Sequence, residues 1–135
     1  MVEKLEIDIA VVGAGGCGLV AALTAAEANV KVLLLEKGAT PGGSTGMSAG
    51  LFVAAGSRLQ HINGEMGTPE ELAADIYEKN DYCSGEAVTL ALCQASGPLM
   101  DWLVDRGAGL EHMAGYRYPG MSRSWIHAPL ERHGQ

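Results

Sequence analysis

A glycine-rich turn near the start of the chain constrains the fold more than any other part of the sequence. The turn reads Gly13-Ala14-Gly15-Gly16-Cys17-Gly18 and follows a short apolar run from Ile7 to Val12. An alanine-rich segment with helical spacing, residues 15–28, comes next, and a second apolar run extends from Val30 to Leu35. A strand, a glycine turn, a helix and a second strand in this order predict a βαβ unit with parallel strands.

The spacing of the glycines indicates what this turn can bind. In the pattern G-x-G-x-x-G, Gly13 permits a tight turn, Gly15 lets the backbone approach a pyrophosphate, and Gly18 lets helix and strand pack closely. The amides at the start of the helix attract an anion. Glu36 ends the second strand, where a carboxylate can accept hydrogen bonds from both ribose hydroxyls. Because an acid disfavours a 2′-phosphate, the sequence predicts a dinucleotide site that excludes NADP.

A second glycine-rich stretch begins soon after Glu36 and indicates which dinucleotide is bound. Gly42-Gly43-Ser44-Thr45-Gly46-Met47-Ser48-Ala49-Gly50 is poor in bulky side chains and rich in amides and hydroxyls. Such a loop suits contact along a long, anionic, planar ligand. In a plain NAD domain the second strand leads into ordinary crossover structure, so an NAD-binding domain is the disfavoured alternative.

The run from Ile7 to Gly50, with E-K-G, G-G-S-T and M-S-A-G in order, resembles the FAD-dependent oxidoreductase 2 family. That family includes fumarate reductase and succinate dehydrogenase flavoproteins, soluble fumarate reductases and 3-ketosteroid dehydrogenases. The likeness continues through residues 69–80, 96–107 and 122–129. It implies an α/β fold in which a Rossmann-like βαβ unit with parallel strands is followed by helices, incomplete relative to the full family fold.

The resemblance also implies how a cofactor is bound. The glycine turn would hold the FAD pyrophosphate, Glu36 the adenosine ribose, and the second stretch the ribityl chain and flavin. Respiratory members carry a histidine directly before the matching threonine and bond it to the flavin. Ser44 stands there in this chain, so we expect noncovalent FAD. The implied cofactor-binding residues are Gly13, Ala14, Gly15, Gly16, Cys17, Gly18, Glu36, Lys37, Gly42, Gly43, Ser44, Thr45, Ser48, Ala49 and Gly50.

The last segment departs from the family pattern. Where relatives show G-H-S and R-x-H-x-P, this chain has Gly120-Met121-Ser122 and Trp125-Ile126-His127-Ala128-Pro129. His127 keeps its place, but a histidine and an arginine are missing, which weakens the case for substrate binding here. A structural or solvated role for His127 is favoured over a site role. No catalytic residue and no metal site are assigned, and the other histidines are expected to be structural or exposed: His61, His112 and His133.

At 135 residues the chain is much shorter than members of this family. We expect an amino-terminal part of a flavoenzyme, with a dinucleotide-binding core in residues 1–56, a mainly helical and loop segment in residues 57–135, and no capping or substrate domain. The complete enzyme would transfer hydride between flavin N5 and an activated carbon–carbon bond of a small unsaturated acid or ketone, and this chain alone would be inactive. The alternative is a non-catalytic nucleotide-binding fragment, or a split subunit that needs a partner chain.

Charge and hydropathy limit the remaining classes. The chain has 9 Lys and Arg against 16 Asp and Glu, a formal charge of −7, which disfavours nucleic-acid binding. The start of the chain lacks the charge pattern of a signal peptide, and no long uncharged apolar run suggests a membrane span. A cytoplasmic location is therefore expected. Cys17, Cys83 and Cys93 lack metal-ligand spacing and are expected to be reduced thiols.

Two helix starts are predicted in the second half of the chain. Thr68-Pro69-Glu70-Glu71 has the sequence of a capping box with proline in the first turn. Ser96-Gly97-Pro98 is expected to open another helix that Gly107 ends. Residues 108–135 show no clear periodicity.

Overall fold

The computed structural model describes residues 4–130 and divides the chain into two compact units. The first unit extends to Gly50, and the second begins at Leu51. This boundary lies earlier than the expected division after residue 56, because Phe52 and Val53 pair with a strand of the second unit.

The first unit is a βαβ unit with the predicted topology. Strands β1 (Ile9–Val12) and β2 (Val32–Leu35) are parallel, and all four residues of one lie opposite those of the other. Helix α1 (Gly16–Glu27) connects them, and the short helix α2 (Gly43–Met47) follows β2. The parallel pair and its crossover helix confirm the predicted α/β fold class.

The apolar residues of the first unit are incompletely buried. Among its described residues, Ala14 is the single buried one. Val12 is 83% exposed at the end of β1, and Leu19 and Leu23 are exposed along α1. Two strands and one helix are too few to enclose a core. The elements of the first unit therefore leave these apolar faces exposed.

The second unit combines helices with a three-stranded antiparallel sheet. Its helices are α3 (Arg58–Ile62), α4 (Pro69–Lys79) and α5 (Glu86–Asp105). Its strands, in the order β3-β5-β4, are β3 (Phe52–Val53), β4 (Leu110–His112) and β5 (Ile126–Pro129). The strands of this sheet were not predicted from the sequence. Strands of two to four residues are too short to show an alternating pattern in the sequence.

The capping box predicted at the start of α4 is confirmed. Thr68 Oγ1 accepts a hydrogen bond from Glu71 N at 3.2 Å, and the Glu71 carboxylate accepts one from Thr68 N at 2.9 Å. Glu71 also forms a two-point ion pair with Arg123, which lowers the pKa of the Glu71 carboxyl. The helix start is thereby tied to the segment that leads into β5.

The prediction that a separate helix begins at Ser96 is wrong, because α5 continues through this position. Pro98 lies inside α5, where it donates no backbone hydrogen bond. Ser96 Oγ accepts a hydrogen bond from Ala55 N at 3.0 Å, and a Cβ on Gly97 would overlap the Ala55 carbonyl oxygen. These tertiary contacts support the helix across the proline. Gly107, with φ of +84°, follows its last turn as predicted.

Of the helices within residues 4–130, α5 is the one long and apolar enough to cross a membrane by length and composition, with a mean hydropathy of 1.2. Part of its apolar character is explained by packing, since Cys93 and Met100 are buried. Its Asp101 and Asp105 both pair with Arg58.

Candidate functional site

The glycine-rich turn places backbone amides at the carboxyl end of the parallel strands. Gly13 follows β1 with φ of +98°, a conformation that favours glycine, and its amide donates to the Leu35 carbonyl at 2.7 Å. Gly15, the residue before α1, is extended and supplies no side-chain cap. A helix start of this kind attracts anions through its amides and its partial positive charge.

The close approach of α1 to β1 depends on Gly18. A Cβ at this position would overlap the Gly13 carbonyl oxygen and lie 3.5 Å from Cγ1 of Val11. No residue with a side chain fits here unless the turn moves.

Glu36 extends from the end of β2 toward the same turn. Its Oε2 accepts a hydrogen bond from Ala14 N at 2.7 Å, and its Oε1 accepts one from Gly38 N at 2.9 Å. Both amides lower the pKa of the Glu36 carboxyl below its ordinary value, and the amide of Ala14 has the larger effect. Because each carboxylate oxygen accepts up to two hydrogen bonds, the ionised group can hold the turn and still accept bonds from a ribose diol.

A cleft of about 400 Å³ lies beside this carboxylate and is lined by Val12, Gly13, Leu35, Glu36 and Lys37. It is at the carboxyl ends of both strands, where parallel sheets bind ligands. Its apolar side chains suit an adenine ring, its carboxylate suits a ribose, and the glycine-rich turn suits a diphosphate. These residues fit the ADP portion of FAD.

The second glycine-rich stretch lies against the first. Gly42 N donates to the Ala14 carbonyl at 3.2 Å, and Thr45 Oγ1 accepts a hydrogen bond from Gly16 N at 3.1 Å. Two segments that are separate in sequence thus converge on the start of α1.

The remaining residues implied by the resemblance lie around these contacts. The Ser48 hydroxyl donates to the Thr45 carbonyl at 2.9 Å and accepts from Gly50 N at 3.2 Å, which shapes the chain after α2. No group of three or more His, Cys, Asp or Glu within residues 4–130 is placed to hold a metal ion. Exposed members of the set are Cys17, Glu36, Lys37, Gly43, Ser44, Thr45, Ser48 and Ala49.

Sequence reasoning misses a buried polar cluster in the second unit, which we call the histidine cluster. Ser57 Oγ lies 2.7 Å from His127 Nε2, and His127 Nδ1 lies 3.1 Å from the Trp125 carbonyl. The carbonyl requires a donor, so Nδ1 carries the proton and the Ser57 hydroxyl donates to Nε2. The sequence carried one signal for this cluster: the spacing of Ser57 and Gln60, which form the capping box at the start of α3. The cluster comprises Ser57, Gln60, His112, Ser124 and His127.

The burial of His127 supports the structural role favoured from the sequence, since none of its surface is exposed. His112 is also buried, with its Nε2 2.7 Å from the Ser124 carbonyl, whereas His61 is exposed. His133 lies outside the described residues.

Burial of His127 predicts a loss of stability in acid. Burial, and then the neighbouring His112, lower the pKa of His127 to about 4, while hydrogen bonds with the backbone of Trp125 and Phe52, and then Asp101, act in the opposite direction. In the unfolded chain this side chain titrates near its ordinary pKa of about 6.5. Between pH 4 and pH 6.5 the unfolded chain therefore binds more protons than the folded chain. The contribution of neutral His127 to the free energy of unfolding is therefore complete above about pH 6.5. It decreases by about 2–3 kcal/mol as the pH falls toward 4. Urea unfolding across this range measures it.

The control for this prediction is His127→Asn, which cannot titrate in this range. We expect the free energy of unfolding of the variant to vary less between pH 7 and pH 4 than that of the native chain. Equal variation in both proteins would contradict the prediction.

The geometry of the turn agrees with a comparison of the sequence with protein families. A family model described as an FAD binding domain matches residues 8–133, which is nearly the whole chain.

Relatives of the chain include several reductases. Urocanate reductase of Eggerthella lenta is 36% identical over 102 residues, which cover 76% of this chain and 17% of that protein. Vinyl phenol reductase of Lactiplantibacillus plantarum is 32% identical over 136 residues, covering 95% of this chain and 27% of the relative. Fumarate reductase (cytochrome) of Shewanella frigidimarina is 32% identical over 104 residues, covering 77% of this chain and 18% of the relative. The chain thus spans less than a third of the length of each.

Solved structures show the same fold. The open conformation of a flavocytochrome c3 fumarate reductase matches with a TM-score of 0.77 and 27% identity, covering 96% of this chain and 22% of the other. The 3-ketosteroid-Δ4-(5α)-dehydrogenase of Rhodococcus jostii RHA1 matches with a TM-score of 0.67 and 30% identity, covering 76% of this chain and 21% of the other. The fold, the turn and the family match together show that the chain belongs to the FAD binding domain family of fumarate reductase-type flavoproteins.

Proposed function

We propose that this chain forms the noncovalent FAD-binding part of a flavin-dependent oxidoreductase. The observation that carries the proposal is the Glu36 carboxylate, hydrogen-bonded to Ala14 N at the carboxyl end of two parallel strands. This arrangement puts an ionised acceptor for a ribose next to a turn whose backbone a diphosphate can approach.

Each part of the site would hold one part of the cofactor. The amides of Gly13, Ala14 and Gly16 are already bonded within the protein, so other backbone amides at the start of α1 would bind the pyrophosphate, and Glu36 would bind the adenosine ribose. The stretch Gly42–Gly50 would lie along the ribityl chain and flavin, with Thr45 and Gly42 already bonded to the turn. Lys37 lines the cleft and would offset the negative charge of the ligand there.

When bound, FAD supplies hydride transfer between its N5 and an activated carbon–carbon bond. This chain's own residues would bind and orient the cofactor. The relatives named as reductases of urocanate and fumarate support a small unsaturated acid as the substrate class. The relatives named as 3-oxosteroid and 3-ketosteroid dehydrogenases support a ketone.

Substrate turnover is proposed for an assembly larger than this chain. The exposed apolar residues of β1 and α1 favour further protein packed on the first unit, supplied by a longer chain or by a partner chain. A nucleotide-binding fragment that needs such a partner to complete its site remains the second proposal, and the same exposed residues support it.

The proposal predicts that bound FAD dissociates completely when the chain unfolds. Ser44 stands where respiratory relatives carry the flavin-linked histidine, and its hydroxyl cannot form that linkage. We expect acid precipitation of the FAD-loaded chain to leave the flavin absorbance in the supernatant. A matched sample of Ser44→Ala should release FAD in the same way. Yellow colour that stays with the washed precipitate would contradict noncovalent binding.

A further inference from the structure

Helix α5 carries a row of apolar side chains on its solvent-facing side. We call this row the α5 stripe, and its members are Val88, Leu92, Ala95, Leu99 and Trp102. Val88 is 66% exposed and Leu92 is 67% exposed, and the last two members are half-buried. The buried residues of α5 are spaced along the opposite side of the helix and are Thr89, Cys93, Gly97 and Met100. The α5 stripe is therefore additional to the face that packs in the core.

The spacing of the α5 stripe is that of a seam between two helices. Its members are alternately four and three positions apart, which is the a and d pattern with which paired α-helices pack side by side. From Val88 to Trp102 the stripe extends over about 21 Å of helix. A continuous exposed apolar surface marks a site of interaction. The pattern therefore fits a second α-helix with an apolar face.

The charges at the two ends of α5 indicate which helix fits. Glu86 is in the first turn of α5 and lines an open groove together with Glu70, so this end is acidic. Arg106 follows the last turn as the C-cap and is exposed. Its guanidinium lies 3.8 Å from the ring centroid of Trp102, and its five N–H donors allow it to pair with a carboxylate as well. Two antiparallel copies of α5 bring the acidic end of each to Arg106 of the other, whereas parallel copies place Glu86 against Glu86.

The other charges near the end of α5 lie beside the stripe. Asp101 and Asp105 both form ion pairs with Arg58 of α3, at 3.5 Å and 2.6 Å. They are thus neutralised within the chain and do not oppose the approach of a second copy.

We propose that the α5 stripe pairs with the same stripe of a second copy of this chain, in antiparallel orientation. Ala95 is the middle member of the stripe, so it faces its counterpart on the two-fold axis, and its small side chain lets the helix axes approach to about 8–10 Å. Val88 then faces Trp102 of the second copy. Because so short a seam buries a small area, the monomer and the dimer exchange with each other and form no permanent assembly.

Sedimentation velocity of the 135-residue chain measures this association. We expect the mass to rise from that of one copy toward that of two as the concentration increases. Leu92→Glu should raise the Kd of the dimer by about a hundredfold, because each copy would bury an unpaired charge. The matched control is Leu23→Glu, which places the same charge at an exposed leucine of α1 and should change the Kd by less than about twofold. A chain that stays monomeric at every concentration, or a dimer weakened as much by Leu23→Glu as by Leu92→Glu, would overturn the proposal.

Disulfide cross-linking tests the orientation. In a background in which the exposed Cys17 and Cys83 are replaced by serine, Ala95→Cys should give a covalent dimer on oxidation with diamide, because antiparallel stripes bring the two copies of this position together. Val88→Cys is the matched variant and should stay monomeric on a non-reducing gel, since its two copies lie at opposite ends of the seam. A cross-link in Val88→Cys as efficient as that in Ala95→Cys, or no cross-link in either, would overturn the antiparallel pairing.

Discussion

Replacing Gly18 by alanine is expected to raise the Kd for FAD by about a hundredfold. The added Cβ would overlap the Gly13 carbonyl oxygen, and backbone atoms cannot rotate away as a side chain can. Either α1 moves from β1 or the turn shifts, and both displace the amides that would bind the pyrophosphate. Quenching of flavin fluorescence on titration measures the Kd.

The same substitution should also destabilise the first unit by about 1–3 kcal/mol, the usual cost of an overpacked site. Gly85→Ala is the control, because it adds the same methyl group outside the proposed cofactor site, with no heavy atom within 4 Å. We expect its Kd to stay within about twofold of the native value. If Gly18→Ala binds FAD as tightly as Gly85→Ala does, the turn does not bind the pyrophosphate as proposed.

Glu36→Gln is expected to raise the Kd for FAD by about ten- to a hundredfold, because charge-assisted hydrogen bonds to the ribose are lost. The amide side chain has one acceptor oxygen, so it can no longer accept from both Ala14 N and Gly38 N while facing a ligand. The pKa of Glu36 is already lowered by these amides, so the native carboxyl is ionised throughout the neutral range. Isothermal titration with FAD at pH 7 measures the change.

The control for Glu36→Gln is Glu6→Gln, which also removes one negative charge. Glu6 precedes β1 and therefore lies near the amino end of that strand, away from the glycine-rich turn at its carboxyl end. We expect no more than a twofold change in its Kd, since exposed distant charges are screened by salt. An unchanged Kd in Glu36→Gln would show that this carboxylate does not bind the ribose.

The first unit could be predicted from the sequence because its signals are local. Two apolar β-branched runs, a glycine pattern and an alanine-rich segment each specify one element, and together they fix the order strand, helix, strand. The position of Glu36 at the end of β2 followed from the same pattern. The hydrogen bond from Ala14 N to Glu36 could not be predicted, because it depends on how the turn is placed against the neighbouring strand.

The second unit was predicted less well because its structure depends on contacts between distant residues. Phe52 and Val53 form a strand only because β5 lies beside them. Ser96 and Pro98 have the sequence of a helix start, but contacts with Ala55 keep them inside α5. Local propensity favours a break there, and tertiary packing overrides it.

The buried histidine cluster illustrates the same limit. The sequence separates Ser57 from His127 by 70 positions, yet their side chains are hydrogen-bonded at 2.7 Å. No periodic pattern marks His112 or His127 as buried, since polar residues enter a core only when partners satisfy them. Only the pairing of β3, β4 and β5 brings these partners together.

Cofactor selectivity tests the central claim most directly. The chain is titrated at equilibrium with FAD, FMN, NAD and NADP in the same buffer, and a Kd is measured for each. We expect the lowest Kd for FAD, because the turn and Glu36 would contact the ADP portion that FMN lacks and the Gly42–Gly50 stretch would contact the flavin that NAD and NADP lack. Tighter binding of NAD than of FAD would contradict the assignment of this chain as a flavin site.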